Sequence, residues 1–245
     1  MILLVNDDGI DAPGLRALYH ALRATTGLPV LAVAPTQERS GQSHAITIDR
    51  ALHTAVRHEP GFFGFSLDGT PADCTKMALD RLCATPPALV VSGINRGPNV
   101  GRSLFYSGTV AAAMEAAVLG HRALAVSRQL GHADDEDGAR LAAGVAHRML
   151  SREDLRGVVV NLNVPSSPAA AWQPLVTAPH GLAGFQESYR PVHEGGRPAW
   201  RLEGRWQALH EHGTDATFLT QGHPVLTLLR PDLNGDQRLL QDLVP

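Results

Sequence analysis

Two adjacent aspartates that follow the first apolar segment are the residues best suited to chemistry. Residues 1–5 form a continuous apolar run, and the sequence Asn-Asp-Asp-Gly follows it directly. Consecutive side chains on a strand point to opposite faces, so Asp7 and Asp8 converge only if the chain turns here, which Gly9 permits. Two carboxylates at a strand end are a hard oxygen site suited to Mg²⁺ or Mn²⁺. An Asx-turn before the helix at Pro13 explains the same residues.

A polar loop at residues 38–44 brings hydroxyl and imidazole groups after the second predicted strand. Ser40 and Ser43 offer oxygen atoms, and His44 offers a group that can protonate a leaving oxygen. A purely structural hydrogen bond from His44 is an equal alternative. Loops are polar by default, so an ordinary surface loop accounts for this segment as well.

Residues 92–101 form a glycine-rich segment with two asparagines, Asn95 and Asn99. Such a segment can bring backbone N–H groups and amide oxygens to an anion or a metal ion. It matches neither the Walker A loop nor the dinucleotide-binding glycine pattern, so these nucleotide motifs are not supported. Arg96 is its one basic residue, and it is suited either to contact phosphate or to pair with a neighbouring acid.

The segment Tyr106-Ser107-Gly108-Thr109 precedes an alanine-rich helix predicted over Thr109–Leu119. Helix N-termini present unpaired N–H groups and partial positive charge, which suits phosphate. Ser107 and Thr109 are equally well explained as helix caps.

Apolar strands that alternate with helices must position these groups. Continuous apolar strands are typical of a mostly parallel α/β sheet covered by helices on both faces. In such sheets ligands bind beyond the carboxyl ends of the strands, so all four segments are expected at one edge. The strands are predicted at Met1–Val5, Pro29–Ala34, Ala88–Val91, Ala123–Ser127 and Val158–Leu162, and the other helices at Pro13–Ala24, Thr70–Leu82 and Asp135–Leu150. A short alternating run lies near Ile46–Ile48.

The last third of the chain has a different pattern. Residues 166–212 contain short alternating runs typical of hairpins or a projecting arm, and Pro224–Leu229 is predicted as a strand. Gln237–Leu243 is predicted as a short tail helix. We therefore expect a Rossmann-like catalytic core over residues 1–165 and a C-terminal extension over residues 166–245.

Composition excludes several classes of partner. The 245 residues carry a net charge of −3, and Lys76 is the only lysine. That balance argues against a broad basic face that grips long nucleic acid. No apolar stretch approaches the roughly 20 residues needed to span a membrane, and the N-terminal apolar run is too short for a signal sequence. Cys74 and Cys83, nine residues apart on one predicted helix, cannot pair with each other, so a reducing cytoplasm is expected.

Taken together, the motifs resemble the SurE (survival protein E) family of metal-dependent nucleotidases. The resemblance is dense over residues 1–165 and looser afterwards. The segments that carry it are NDDGIDAPG at 6–14, ERSGQSHAIT at 38–47, DGTPADC at 68–74, SGINRGPNVG at 92–101, YSGTVAAAMEA at 106–116 and NLNVP at 161–165. One departure is the sequence LTLL at 226–229, where a serine-isoleucine-threonine-proline type of ending is more usual.

The resemblance implies both a reaction and a ligand set. It implies hydrolysis of nucleoside 5′- or 3′-monophosphates by water activated on one divalent ion, Mg²⁺ or Mn²⁺, with a homodimer or homotetramer built partly by exchange of C-terminal segments. By motif, the metal ligands are Asp7, Asp8, Ser40 and Asn95, with both aspartates at the catalytic centre, and the phosphate contacts are Asn99, Ser107, Gly108 and Thr109. Ser43, His44 and Arg96 are candidates for supporting or acidic roles around them.

Alternative functions remain open at this point. A broader phosphatase or exopolyphosphatase would use the same residues, and a nucleotide sensor would keep the site without turnover. A covalent reaction through one of the aspartates is a rival mechanism, since carboxylates can act as nucleophiles.

Overall fold

A mixed, mostly parallel β-sheet forms the centre of the protein, whose computed structural model describes residues 1–131, 135–207 and 211–235. Nine of the described strands form this sheet, in the order β3-β4-β2-β1-β5-β6-β7-β11-β8, and β9 and β10 pair only with each other. The run from β4 to β7 is parallel, as predicted, whereas β3 and β11 join it antiparallel. The strands are β1 (Ile2–Val5), β2 (Val30–Pro35), β3 (Thr54–Glu59), β4 (Phe62–Leu67), β5 (Leu89–Arg96), β6 (Ala123–Arg128), β7 (Val159–Val164), β8 (Val176–Thr177), β9 (Gly184–Glu194), β10 (Arg197–Gln207) and β11 (Val225–Leu229).

Helices cover both faces of the sheet, which explains why β1 is apolar at every position. Ile2 and Leu4 pack into a core with α1 and α4, whereas Leu3 and Val5 pack into a second core with α2 and α3. The predicted Rossmann-like arrangement is therefore confirmed. The helices are α1 (Pro13–Thr26), α2 (Pro71–Met77), α3 (Gly108–Val118), α4 (Asp135–Met149) and α5 (Asp215–Thr220).

The start of α2 follows the predicted capping pattern. Thr70 accepts a hydrogen bond from the backbone of Asp73, the Asp73 carboxylate accepts one from Thr70, and Pro71 occupies the first turn. The helix is not regular up to Leu82, because it changes to a π-helical turn after Met77. Cys74 and Cys83 are both free.

The glycine-rich segment is partly strand rather than loop, which corrects the prediction that a strand ends at Val91. β5 continues to Arg96, with a shift in its register against β6 between Ser92 and Asn95. A Cβ atom on Gly93 would lie 2.4 Å from the carbonyl oxygen of Val126, so only glycine allows the two strands to approach here.

Two strands were missed by the sequence patterns. β3 and β4 form a hairpin at one edge of the sheet, and the sequence near Ile46–Ile48 forms no strand. Ile48 is 92% exposed, and the backbone N–H of Thr47 instead donates to Asp73 at 3.0 Å. An isolated alternating run of three residues is too short to distinguish a strand from an extended loop.

The C-terminal extension contains the expected hairpin and also completes the central sheet. β9 and β10 form the hairpin arm, while β11 pairs with β7. The predicted helix at Gln237–Leu243 lies outside the described residues, and the division of the chain at residue 165 stays a prediction. In the described part of the chain, no helix is both long and apolar enough to cross a membrane.

Candidate active site

The carboxyl edge of the parallel strands holds a cavity of about 420 Å³. It collects residues from all four predicted segments together with residues from the arm. Its lining residues are Asp7, Ser40, Gly41, Asn95, Arg96, Gly97, Pro98, Asn99, Arg102, Ser103, Tyr106, Ser107, Leu130, Phe185 and Glu187.

An Asx-type turn after β1 orients the two aspartates. The Asn6 side chain donates to the carbonyl of Gly9 at 2.9 Å and accepts from the Gly9 N–H at 3.2 Å. The same turn fixes the second loop, because the N–H of Arg39 donates to the carbonyl of Asp7 at 2.8 Å. The turn is thus made by Asn6, which leaves both carboxylates for other partners.

Asp7 is buried beside the start of α3. It is 3% exposed, and its Oδ1 accepts a hydrogen bond from the hydroxyl of Thr109. Burial raises the pKa of Asp7, and hydrogen bonds from the hydroxyl and backbone N–H of Thr109 oppose that rise. A buried carboxylate with no cation against it is costly, so this position favours a cationic ligand.

Asp8 is the more accessible member of the pair. Its Oδ2 accepts a hydrogen bond from the backbone N–H of Arg96 at 3.3 Å. Burial and then repulsion from Asp7 raise the pKa of Asp8 to about 6. The two acids therefore repel each other when both are ionised, which a bound cation would relieve.

The remaining predicted metal ligands supply neutral oxygens to the same cavity. Ser40 donates to Glu38 at 2.7 Å, so its own lone pairs can still accept or coordinate. The Asn95 amide nitrogen donates to the carbonyl of Gly97 at 2.7 Å, which leaves Oδ1 to act as a ligand. No three His, Cys, Asp or Glu side chains gather as a metal site in the described ranges, yet two carboxylates with hydroxyl and amide oxygens fit Mg²⁺ or Mn²⁺.

Asn99 is held at the cavity wall by side chains from two strands. Its amide nitrogen donates to Ser127 at 2.8 Å, and its N–H donates to Asn163, also at 2.8 Å. Its carbonyl accepts from Asn161 at 2.9 Å and from Asn163 at 3.0 Å. These contacts explain the NLNVP segment, whose asparagines position the glycine-rich loop and were not assigned a role from the sequence.

The N-terminus of α3 forms the other wall of the cavity. Ser107 caps this helix by accepting from the N–H of Val110 at 3.0 Å, and Thr109 contacts Asp7. The predicted phosphate contacts at Ser107, Gly108 and Thr109 therefore lie beside the candidate metal ligands. Ser107 thus has the capping role that the sequence left open, whereas the Thr109 side chain donates to Asp7 rather than capping the helix.

Ser43 and His44 face a different cavity. Ser43 donates to the carbonyl of Phe105 at 2.6 Å, and His44 contacts Glu115 at 2.9 Å. Glu115 also accepts from Lys76 at 2.5 Å, so the only lysine is engaged in an ion pair. The structure gives His44 a hydrogen-bonding partner away from Asp7, in line with the structural alternative for this residue.

Several residues that line the cavity could not be predicted from the sequence. They come from the turn after β5, the end of β6 and the base of the arm, which are distant in the chain. They are Arg102, Ser103, Leu130, Phe185 and Glu187. Only the position of Tyr106 next to the SGT segment pointed to this group.

Fold and site together define a Rossmann-like α/β protein with a polar cavity, lined in part by Asp7, at the carboxyl edge of its parallel strands. Within that class the chain belongs to the SurE family. The family model described as "Survival protein SurE" matches residues 2–186, which includes the core and the start of the arm.

Relatives from several bacteria extend the similarity along nearly the whole chain. Proteins named 5′-nucleotidase SurE from Nitratidesulfovibrio vulgaris and Desulfovibrio desulfuricans are 41% and 42% identical, over 97% of this chain and 96% and 95% of theirs. One from Symbiobacterium thermophilum is 38% identical over 95% of this chain and 93% of its own. The crystal structure of the SurE protein from Aquifex aeolicus superposes with a TM-score of 0.82 at 30% identity, covering 99% of this chain and 97% of that one.

Proposed function

We propose that this protein is a metal-dependent phosphomonoesterase that hydrolyses nucleoside 5′-monophosphates, and 3′-monophosphates as a secondary class, to nucleoside and phosphate. The observation that carries the proposal is that Asp7, next to Asp8 in the chain, lies against the N-terminus of α3 in a cavity that Ser40, Asn95 and Asn99 also line. Membership of the SurE family, whose relatives are named 5′-nucleotidases, supports the same reaction.

Asp7, Asp8, Ser40 and Asn95 are proposed to hold one Mg²⁺ or Mn²⁺ ion. When bound, such an ion neutralises phosphate charge and supplies a water molecule of lowered pKa. Hard cations of this kind accept carboxylate, hydroxyl and amide oxygens, which is the donor set present. Burial of Asp7 and the raised pKa of Asp8 support the assignment, because both favour a nearby positive charge.

The chain's own groups are proposed to orient the phosphate. The N-terminus of α3, where Gly108 lies against Asp7, carries partial positive charge, and Ser107 and Asn99 line the cavity beside it. Donors fixed in place before the reaction stabilise developing charge on equatorial oxygens without reorganisation. Arg96 also lines the cavity, and its guanidinium is proposed to add positive charge for phosphate binding.

Two other functions can be compared with the arrangement of these site residues. A broader phosphatase or exopolyphosphatase would use these residues on substrates without a base. A nucleotide sensor is less well supported, since binding alone does not require paired acids at a helix N-terminus. Reaction through a covalent aspartate is disfavoured because Asp7 is held by Thr109 and Asp8 by Arg96.

Assembly and location form part of the proposal. We propose a homodimer or homotetramer that uses the C-terminal extension, because one face of the β9–β10 arm exposes Tyr189, Trp200 and Leu202 at 68%, 69% and 49%. Exposed apolar patches of this kind mark association surfaces. The two free cysteines support a cytoplasmic location.

The deciding experiment measures phosphate release from a panel of 5′- and 3′-nucleotides, polyphosphate and ribose 5-phosphate, with Mg²⁺, with Mn²⁺ and with a chelator. We expect release from nucleotides only when metal is present, and near-complete loss of turnover in Asp7→Asn and Asp8→Asn with the fold preserved by circular dichroism. Full activity in either variant, or after thorough chelation, would exclude the proposed site. Nucleotide binding without release would favour the sensor.

A further inference from the structure

We propose that the base of the hairpin arm is part of the substrate site, and that Phe185 and Tyr106 together hold the base of the nucleotide. This inference rests on the proposed nucleotidase function and adds the residues that recognise the nucleoside. It gives the C-terminal extension a role in substrate binding that is separate from assembly.

The first observation is that the two rings share a cavity with Asp7. Tyr106 and Phe185 are 62% and 46% exposed, and both line the space that Asp7, Asn99 and Ser107 also line. Leu130, 67% exposed, adds an apolar side chain to the same wall. The cavity thus combines Asp7 and several hydrogen-bonding side chains with two aromatic rings.

The second observation is that the base of the arm is fixed against the turn that carries Tyr106. The N–H of Arg102 donates to the carbonyl of Ala183 at 2.8 Å. A Cβ on Gly101 would lie 2.2 Å from that same carbonyl oxygen, so the contact requires glycine, whose φ here is +53°. The 3₁₀ turn Gly101–Tyr106 and the start of β9 therefore form one joined unit.

Asp215 stabilises the same junction through hydrogen bonds to both of its segments. It is fully buried, and its carboxylate accepts from the N–H groups of Gly101 and Gly181, both at 3.0 Å. A buried carboxylate that joins the glycine-rich loop to the segment entering β9 keeps Phe185 and Tyr106 in a constant relation. Asp215 is in this sense a positioning residue for the aromatic pair.

The chemistry of the cavity suits a nucleoside monophosphate. Aromatic rings stack on the flat face of any base, whatever its sequence of hydrogen-bonding groups. A cavity of about 420 Å³ lies in the size range of small-ligand sites. Phe105, the neighbour of Tyr106 in the chain, lines a separate cavity and is not part of the proposed base-binding pair, Phe185 and Tyr106.

The arm itself supplies a matched control. Phe185 and Tyr189 lie four residues apart on β9 and so share a face, but only Phe185 lines the cavity. Tyr189 and its cross-strand partner Leu202 lie further along the arm. Substitution at Tyr189 removes a ring of similar size from the same exposed face without touching the cavity.

The test compares AMP with ribose 5-phosphate, which carries the phosphate and the sugar but no base. In Phe185→Ala we expect the ratio of kcat/KM for AMP to that for ribose 5-phosphate to fall about tenfold, mainly through KM for AMP. Phe185→Trp should restore the ratio, whereas Phe185→Leu, which keeps apolar volume without a ring, should not. Tyr189→Ala should keep the wild-type ratio.

An unchanged ratio in Phe185→Ala would overturn the proposal, and so would an equal fall in Tyr189→Ala, which would assign the arm's effect to assembly. Wild-type protein that releases phosphate from neither compound would refute the proposed activity instead. In that event calorimetric titration of AMP into wild-type, Phe185→Ala and Tyr189→Ala protein with Mg²⁺ still tests whether Phe185 holds the base. Weaker binding in Phe185→Ala alone supports it, and equal binding in all three overturns it.

Discussion

Gly108 and Asp7 lie so close together that a side chain on residue 108 has no room. A Cβ atom there would be 2.9 Å from the Cβ of Asp7 and 3.0 Å from its Oδ2. Since Gly108 is the first residue of α3, this contact sets how near the helix N-terminus comes to the acid. The distance between candidate metal ligands and candidate phosphate donors therefore depends on the absence of one methyl group.

Gly108→Ala should reduce phosphate release at least tenfold, because α3 or Asp7 must move to accommodate the methyl group. Overpacking of this kind also lowers the free energy of unfolding by about 1–3 kcal/mol. Steady-state kinetics and urea denaturation measure the two effects. The matched control is Gly144→Ala in α4, where the nearest atom to the new Cβ is 4.0 Å away. That variant should be fully active and more stable by about 0.5–1 kcal/mol, and an inactive control would undermine the steric explanation.

Thr109→Val should lower the affinity of the protein for the activating metal ion, so that more metal is needed for the same activity. The change keeps the shape of the side chain but removes the hydroxyl that donates to Asp7. Loss of a group that orients a ligand typically costs about 10- to 100-fold in metal affinity or activity. Thr109→Ser retains the donor and should stay within about threefold of wild type, as judged by activity against metal concentration. Equal activity of the valine and serine variants would show that the hydroxyl does not orient Asp7.

The metal-free protein should lose stability as the pH rises through the pKa of Asp8. That pKa is raised from 3.8 to about 6, so the folded state binds the proton more tightly than the unfolded state. Stability from this group is complete below pH 3.8 and is lost as the pH rises through about 6. Relative to wild type, Asp8→Asn should therefore gain about 1 kcal/mol between pH 5 and pH 7.5, a figure reduced for screening by solvent at this partly exposed carboxylate.

Urea denaturation at both pH values in chelator measures this difference. Addition of Mg²⁺ or Mn²⁺ at pH 7.5 should stabilise wild type more than Asp8→Asn, because a ligand that binds the folded state raises its stability. A difference between the two proteins that does not change with pH would contradict the raised pKa of Asp8, which burial causes first and repulsion from Asp7 second.

Asp215→Ala should uncouple the C-terminal extension from the glycine-rich loop. The substitution leaves the N–H groups of Gly101 and Gly181 without their carboxylate acceptor. Each unsatisfied buried donor costs about 1–3 kcal/mol, so we expect a loss of about 2–4 kcal/mol in the free energy of unfolding. Asp154→Ala, at an exposed aspartate paired locally with Arg152, should leave the free energy of unfolding nearly unchanged. Comparable losses of unfolding free energy in the two variants would show that Asp215 does not link the C-terminal extension to the glycine-rich loop.

Local sequence patterns were sufficient to predict the parallel core and four of its candidate functional segments. The continuous apolar strands, the Thr70-Pro71 helix start and the turn at residues 6–9 each depend on neighbours in the chain, and the structure confirms them. β3 and β4 were missed because one is largely exposed and the other carries a glycine where it approaches Ala32, so neither has a clear apolar pattern. β5 was cut short because Gly93 is ordinarily a turn signal, whereas here it permits close approach to β6.

The sequence by itself determined the fold class, the family and the identity of the paired acids, since these depend on residue type and short spacing. Only the tertiary structure decided that Thr109 and Gly108 meet Asp7, that Asn161 and Asn163 hold Asn99, and that His44 turns to Glu115. It also brought Phe185 into the same cavity as Tyr106, which lies 79 positions earlier in the chain. Such pairings depend on how strands stack and where the chain returns, and no local periodicity encodes the distance between residues brought together by folding.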